Sequence, residues 1–361
     1  MINSEEMKKF YFGKRVFVTG NTGFKGTWIT LMLQHMGACV AGYALPITDI
    51  SFYHNTNTHV EMQVEADIAD TKKVMYSIEA FKPDIVIHLA SYSTLEGNMK
   101  IPHYILNTNI LGVLNVLEAV RVVESVGAVI IVTSDKCYLN KDTDQLYREG
   151  DELGANDPYG TSKVCQELLT ECYKKTFFDE ENVNISIATA RASNLIGVGD
   201  SNISRLMPYL LETFYSGKVP NIRNPYAIRS WQYVMDALWG YLLLAKKLYE
   251  NTDNKKYNGA YNFGPGEDGI INVGEMARLV GSCFGNNQYK VSELMTSAGR
   301  EAKILKLDST KAEKLLGWEP KYSLEQAVNE IVSFMKSQKM GCKLEKLADD
   351  YVENYLKTYN L

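Results

Sequence analysis

Over its first two-thirds this 361-residue chain alternates short apolar runs with longer stretches of helical periodicity. Continuous apolar runs offer no face to water, so they suit strands buried on both sides, with helices interposed between them as cover. That order predicts a parallel sheet with strands at residues 15–19, 38–43, 64–67, 84–90, 128–134 and 183–189, and helices at 24–36, 71–81, 104–125 and 158–177. The class is therefore α/β, a Rossmann-type doubly wound parallel sheet with a smaller C-terminal substrate-binding lobe. In such a sheet ligands sit beyond the carboxyl ends of the strands, where Gly20, Ala90, Ser134 and Arg191 fall. After Thr189 the alternation yields to Asn-, Gly- and Pro-rich segments such as 221–226 and 262–266. Three units are expected: 1–190 with returning segments from the second half, 191–338 as the lobe, and 339–361 as a helical appendage after Gly341.

Glycines punctuate the first strand-to-helix turn as GNTGFKG over 20–26. Their spacing permits a tight turn and lets backbone N–H groups at a helix start approach a pyrophosphate. Taken alone that pattern is weak, because glycines also punctuate ordinary turns. A second constellation strengthens it. Thr133-Ser134-Asp135-Lys136 ends an apolar run, and Tyr159 and Lys163, four residues apart after Pro158, share one helix face. A lysine beside a phenol favours the phenolate, which is suited to take a proton from an alcohol; the hydride then needs an acceptor, and the glycine turn offers a place to hold one.

Composition narrows the partners. Apolar residues make up 45% of the chain, and 38 Lys and Arg against 43 acids leave a net charge of −5, which argues against a general nucleic-acid surface. An anionic small molecule must then be met by local arginines. No apolar run looks long enough to span a bilayer and the first 14 residues are too polar for a signal peptide, so no membrane partner and a cytoplasmic location are expected. The six cysteines lack paired or metal-ligand spacing and read as free thiols, and all five histidines precede residue 104 without such spacing, so no metal is expected. His88 reads as a core histidine in a strand.

These residues resemble the extended short-chain dehydrogenases/reductases of the nucleotide-sugar 4,6-dehydratase type, most of all the branch that acts on CDP-glucose. The resemblance runs from about residue 14 to about residue 334, through VFVTGNTGFKG (16–26), TSDKCY (133–138), DPYGTSK (157–163), RASNLIG (191–197), IRNPYAIRSWQ (222–232), YNFGP (261–265) and LGW (316–318). TSDKCY and RNPYAIR are the selective segments; the glycine turn and the Tyr/Lys pair are shared more widely. The resemblance implies NAD as cofactor, a nucleotide-sugar substrate, and a homodimer paired through the helices at 104–125 and 158–177. It further implies that Tyr159 takes the proton of the sugar 4-hydroxyl, that Lys163 meets the cofactor ribose, and that Ser134 hydrogen-bonds the 4-hydroxyl. Asp135 would protonate the departing 6-hydroxyl and Lys136 would remove the C5 proton. Cofactor contacts are expected from Gly20, Thr22, Gly23, Phe24, Lys25, Gly26, Tyr43, Asp67, Ile68, Leu89, Ala90, Ser91 and Asn109, and substrate contacts from Asn194, Arg205, Leu206, Arg223, Asn224, Arg229 and Arg300.

NAD rather than NADP follows from residues 41–53, which hold no lysine or arginine to meet a 2′-phosphate. The chain departs from the family's usual pattern at 91–100 and at Ser193, where glycine is usual. Two other readings stand beside the dehydratase: an epimerase, reductase or dehydratase on another nucleotide sugar, and a catalytically silent NAD-binding protein. Asp135 with Lys136 argues against a simple C4 epimerase, which needs neither C5 deprotonation nor 6-hydroxyl protonation.

Overall fold

The computed structural model describes residues 2–47, 51–93, 100–180, 183–292 and 304–360. Helix α1 (Ser4–Tyr11) precedes β1 (Arg15–Thr19), α2 (Phe24–His35), β2 (Cys39–Ala44), β3 (Met62–Glu65), α3 (Thr71–Phe81) and β4 (Ile85–His88). A long helix, α4 (Pro102–Val122), carries a wide π-type turn at Asn107–Leu111 and leads to β5 (Ala128–Val132). Then come β6 (Leu146–Tyr147), α5 (Pro158–Tyr173), β7 (Ser186–Ala192) and β8 (Asn194–Ile196). The remainder comprises α6 (Leu206–Tyr215), β9 (Asn221–Ile222), β10 (Ile228–Tyr233), α7 (Val234–Tyr249), β11 (Gly259–Phe263), β12 (Ile270–Asn272) and α8 (Val273–Ser282). It closes with β13 (Lys290–Val291), β14 (Ile304–Leu307), α9 (Thr310–Leu316), α10 (Leu324–Lys339) and α11 (Leu344–Lys357).

Seven parallel strands form the main sheet in the order β11-β7-β5-β4-β1-β2-β3. Side-chain alternation splits its apolar residues between two cores. Val16 and Val18 join α1, α2 and α7 on one face, while Phe17 faces α3 and α4 on the other. The expected doubly wound sheet is thus present, and β11 extends it from the second half of the chain. Strand edges differ by a few residues from expectation: β3 ends at Glu65, β4 at His88 and β5 at Val132, so Asp67, Ala90 and Ser134 stand in the turns beyond the strands. β7 runs on to Ala192 because both β5 and β11 pair with it.

A smaller sheet, β12-β10-β14-β6 with β8 on β10, gathers strands of two to six residues from the second half and the β5–α5 connection. α11 does not hang free: Ala348, Tyr351, Val352, Tyr355 and Leu356 are buried in the larger core, where Tyr351 packs 5.0 Å from the Trp28 ring. The 21 residues of α4 are long and apolar enough to cross a membrane by length and composition, which corrects the expectation that no run was. Just over half of that stretch is buried inside the protein, its inner face packed against α3 and α5.

Candidate active site

The glycine turn is shaped by contacts that exclude side chains. Gly20 sits at φ +69°, and a Cβ there would meet the Ala90 nitrogen at 2.8 Å; one at Gly26 would lie 2.0 Å from the Gly20 carbonyl oxygen. Only glycine satisfies both the left-handed angle and the approach of α2 to the turn. Gly23, by contrast, is exposed and caps α2 with no side chain, so no capping side chain takes up the first-turn N–H groups of the helix. Thr22 and Phe24 flank it, partly exposed. This is a cradle that fits the pyrophosphate of a dinucleotide.

The turn is braced from β4. The Thr19 hydroxyl accepts from the N–H groups of Leu89 and Ala90, each at 3.2 Å, so it must donate to His88 Nδ1 at 2.8 Å. Burial, aided by the charge of Lys163, pushes His88 down to about 3, and the ring is a neutral core group as expected. Ser91 and Tyr92 are tied to the Asn109 carboxamide, whose Oδ1 accepts from the Ser91 hydroxyl at 3.1 Å and from the Tyr92 N–H at 2.8 Å. Asn109 is fully buried and therefore acts behind the wall of the site. Tyr43 is also fully buried, its hydroxyl donating to the Asp67 carbonyl at 2.8 Å, and it presents no surface to a ligand. Asp67 and Ile68 line the turn after β3, with the Ile68 carbonyl held by Asn115.

At the end of β5 the chemistry-bearing groups converge. The Ser134 hydroxyl donates to Asp135 Oδ1 at 2.9 Å and stands beside the Tyr159 phenol, so phenol, hydroxyl and carboxyl are neighbours. Asp135 is 3% exposed, and its Oδ2 has no partner among the described residues. Lys136 follows on the same short turn, half-buried. Pro158 opens α5 as expected, and Asp157 caps it by accepting from the N–H groups of Tyr159 and Gly160.

One expectation is corrected. Lys163 does not lower the Tyr159 pKa here; burial pushes that phenol up to about 12, opposed in part by the neighbouring Ser134 side chain. The Lys163 ammonium lies 5.6 Å from the Tyr159 ring centroid and donates instead to the Val132 carbonyl and to Gln166 Oε1. Lys163 itself is pushed down to about 7, first by burial and then by the charge of Lys25. Desolvation outweighs the attraction that sequence spacing suggested.

The charge of Lys25 acts on this cluster, disfavouring the ammonium of Lys163. Burial and Arg205 lower Lys25 itself to about 8. Arg205, at the start of α6 before Leu206, is ion-paired with Asp200 at 3.0 Å and donates to the Ser93 hydroxyl at 2.8 Å; its charge acts on both Lys25 and Tyr159. Asn194 on β8 pairs with Trp231 of β10, and Arg229 lies two residues earlier on that strand. Arg223 is exposed and Asn224 half-buried in the β9–β10 connection. Arg300 and residues 94–99 of the unusual loop lie outside the described residues. Ser193 is buried with its hydroxyl unpartnered among the described residues. Arg191, noted as a strand-end cation, is committed to an internal ion pair with Glu167. Sequence reasoning missed Ser162, Gln166 and Glu167; the signal was polar residues at i+3, i+7 and i+8 from Tyr159 on a buried helix face.

The family model for GDP-mannose 4,6 dehydratase matches residues 17–331. The chain is 37% identical over 355 residues to a CDP-glucose 4,6-dehydratase of Salmonella typhimurium, covering 95% of this chain and 97% of the relative. Its fold is similar to that of an epimerase from Methanothermobacter thermautotrophicus (TM-score 0.79, 22% identity, 93% and 96% of the two chains). It is also similar to a dTDP-glucose 4,6-dehydratase from Bacillus anthracis in complex with NAD (TM-score 0.74, 18% identity, 92% and 100%).

Proposed function

This chain belongs to the GDP-mannose 4,6 dehydratase family of nucleotide-sugar enzymes, and on that premise we propose that it is an NAD-dependent CDP-glucose 4,6-dehydratase. The reaction converts CDP-glucose to CDP-4-keto-6-deoxyglucose and water. The observation that carries this reading is the cluster of partly exposed Tyr159 with buried Ser134 and Asp135 and Lys136 beside them, in a chain similar along 95% of its length to a CDP-glucose dehydratase.

NAD, when bound, supplies the acceptor for the C4 hydride and returns that hydride to C6. The Gly20, Gly23 and Gly26 turn with Thr22, Phe24 and Lys25 would hold its pyrophosphate, Asp67 and Ile68 its adenine side, and Leu89, Ala90, Ser91 and Lys163 the opposite end. Tyr159 takes the proton of the 4-hydroxyl; a phenol pushed up to about 12 becomes a base here only as positive charge gathers beside it, and Lys163, Lys25 and Arg205 are the cations at hand. The resulting 4-ketone makes the C5 proton acidic. Lys136 removes that proton while Asp135 delivers one to the 6-hydroxyl, which leaves as water. Asn194, Arg205, Leu206, Arg223, Asn224, Arg229 and Arg300 supply the contacts for the sugar nucleotide, with arginine forks suited to its diphosphate.

Residues 1–190 serve the cofactor and 191–338 the substrate. Tyr104, Leu111, Val122 and Leu168 expose apolar surface on α4 and α5, the helices through which a second copy would pair. Light scattering at twice the chain mass supports the dimer and a monomer mass contradicts it. With CDP-sugars and NAD as its ligands, the enzyme works in the cytoplasm.

The test is incubation with CDP-glucose and other nucleotide hexoses in deuterated water, with and without added NAD. A product that has lost water and carries solvent deuterium at C5 supports the dehydratase. An isomerised sugar moves the reading to an epimerase, and NAD binding without turnover moves it to a silent protein.

A further inference from the structure

Lys163 is held from behind by a second line of hydrogen bonds. Its ammonium donates to Gln166 Oε1 at 3.0 Å and to the Val132 carbonyl at 3.4 Å. At the other end of the same carboxamide, Gln166 Nε2 donates to the main-chain carbonyl of Asn109 at 2.9 Å. A carbonyl only accepts, so the Asn109 contact settles which end of the amide faces the lysine: it is the oxygen. Two acceptors at that amine suit N–H donors, and the carboxamide oxygen stabilises a charged ammonium there more than a neutral amine.

The anchor is built for the purpose. Asn109 lies inside the π-type turn of α4, where the usual helical hydrogen-bond ladder is interrupted and a carbonyl can serve a side chain instead. Its own carboxamide is fixed by Ser162 Oγ at 2.8 Å, by the Tyr92 carbonyl at 3.1 Å and by the Tyr92 N–H, and Ser162 in turn donates to the Tyr159 carbonyl at 2.7 Å. Asn109, Ser162 and Gln166 are all fully buried. Such a network is costly unless satisfied, and here each named group has its partner.

We propose that Gln166 is a positioning residue for the reaction, holding Lys163 as an aimed ammonium through the carbonyl that the wide turn of α4 frees. The proposal rests on the dehydratase reading for the role of Lys163. Other charges compete at that amine. Lys25 disfavours its protonation, Glu167 and the Cys137 thiol favour it, and His88 and the Tyr159 ring face it as well. An amine pushed down to about 7 is sensitive to the loss of one acceptor. A neutral Lys163 would leave the Tyr159 end of the site with one cation fewer, beside Lys25 and Arg205.

The variants are Gln166→Leu, which removes the acceptor, and Gln166→Glu, which adds a charge to it. Two readouts are compared with wild type: NAD affinity of the substrate-free protein from pH 6 to 9 by tryptophan fluorescence, and the pH profile of CDP-glucose turnover. In both, Gln166→Leu moves the alkaline fall to lower pH by about one unit and Gln166→Glu moves it up by about one unit, with KM for the sugar nucleotide changed less than about twofold. A merely structural residue would lower activity evenly at all pH. Alkaline limbs that stay at the wild-type position, or move the same way in both variants, overturn the proposal. If Gln166→Leu does not fold, the upward displacement in Gln166→Glu decides alone. If wild type binds NAD and turns over no CDP-glucose, the function reading fails while the NAD titration still judges Gln166.

Discussion

Arg191 forks onto Glu167 inside the protein: its Nε meets Oε1 at 2.9 Å and its Nη2 meets Oε2 at 2.8 Å, with both side chains about 4% exposed. The same carboxylate accepts from the hydroxyls of Thr133 and Thr189, and the remaining guanidinium nitrogen donates to the Tyr138 hydroxyl at 2.7 Å. The pair thereby fastens α5, which carries Tyr159 and Lys163, to β5 and β7. It lies one helix turn beyond Lys163, so the catalytic face of α5 is registered against the Ser134–Asp135 turn by a buried charge pair.

Glu167→Ala leaves the Arg191 charge buried without its counterion and lowers stability by about 3–5 kcal/mol. A paired replacement, Glu167→Leu with Arg191→Met, costs less than the single change because no charge is stranded. Urea melts of the three proteins check this, and a double variant weaker than Glu167→Ala contradicts it.

Lys136→Ala abolishes exchange of the C5 hydrogen with solvent deuterium and slows water loss at least about 100-fold, while oxidation at C4 persists. The measurement is mass spectrometry of recovered sugar nucleotide together with the absorbance of reduced NAD in a single turnover. Wild-type exchange in this variant removes Lys136 from the C5 step.

Gly26→Ala places a methyl against the Gly20 carbonyl and distorts the turn, so NAD affinity drops by at least about tenfold even where the fold survives. Gly23→Ala meets only the Gly20 oxygen, at 3.4 Å, at a backbone angle open to any residue. Its thermal stability stays within about 0.5 kcal/mol of wild type, and any loss of NAD affinity then comes from crowding the ligand. Calorimetric titration with NAD and thermal melts separate the two.

Asp236 makes stability depend on pH from far outside the site. Its carboxyl is fully buried and accepts from the Tyr355 hydroxyl at 2.7 Å and from the N–H groups of Lys321 and Tyr322, pinning α11 to α7. Burial, the largest influence, outweighs these donors and pushes it up to about 6 from 3.8. Because the folded state holds this proton more tightly, the carboxyl's contribution is most favourable below the unfolded value and declines as pH rises through about 6. The decline amounts to about 3 kcal/mol at most. Asp236→Asn removes the dependence, so the stability gap between variant and wild type changes between pH 4 and 7. A gap constant over that range rules out the titration.

Much of this protein was legible in its residues. Continuous apolar runs separated by helical periodicity report burial along each element, and that suffices for the parallel sheet and for nearly all helices of the first half. The glycine turn and the Tyr159/Lys163 pair were legible too, because a tight turn and a shared helix face are local properties of spacing. Strands of two or three residues, such as β6, β9 and β13, carry no periodicity, so the smaller sheet emerged only from pairing between distant segments. Pairing also decided the partners of Glu167, Gln166 and Asp236, which lie 24, 57 and 119 residues along the chain in Arg191, Asn109 and Tyr355. The direction of the Tyr159 shift reversed for the same reason. Spacing brings a lysine near a phenol, but how much water remains around the two is set by every element that closes over them.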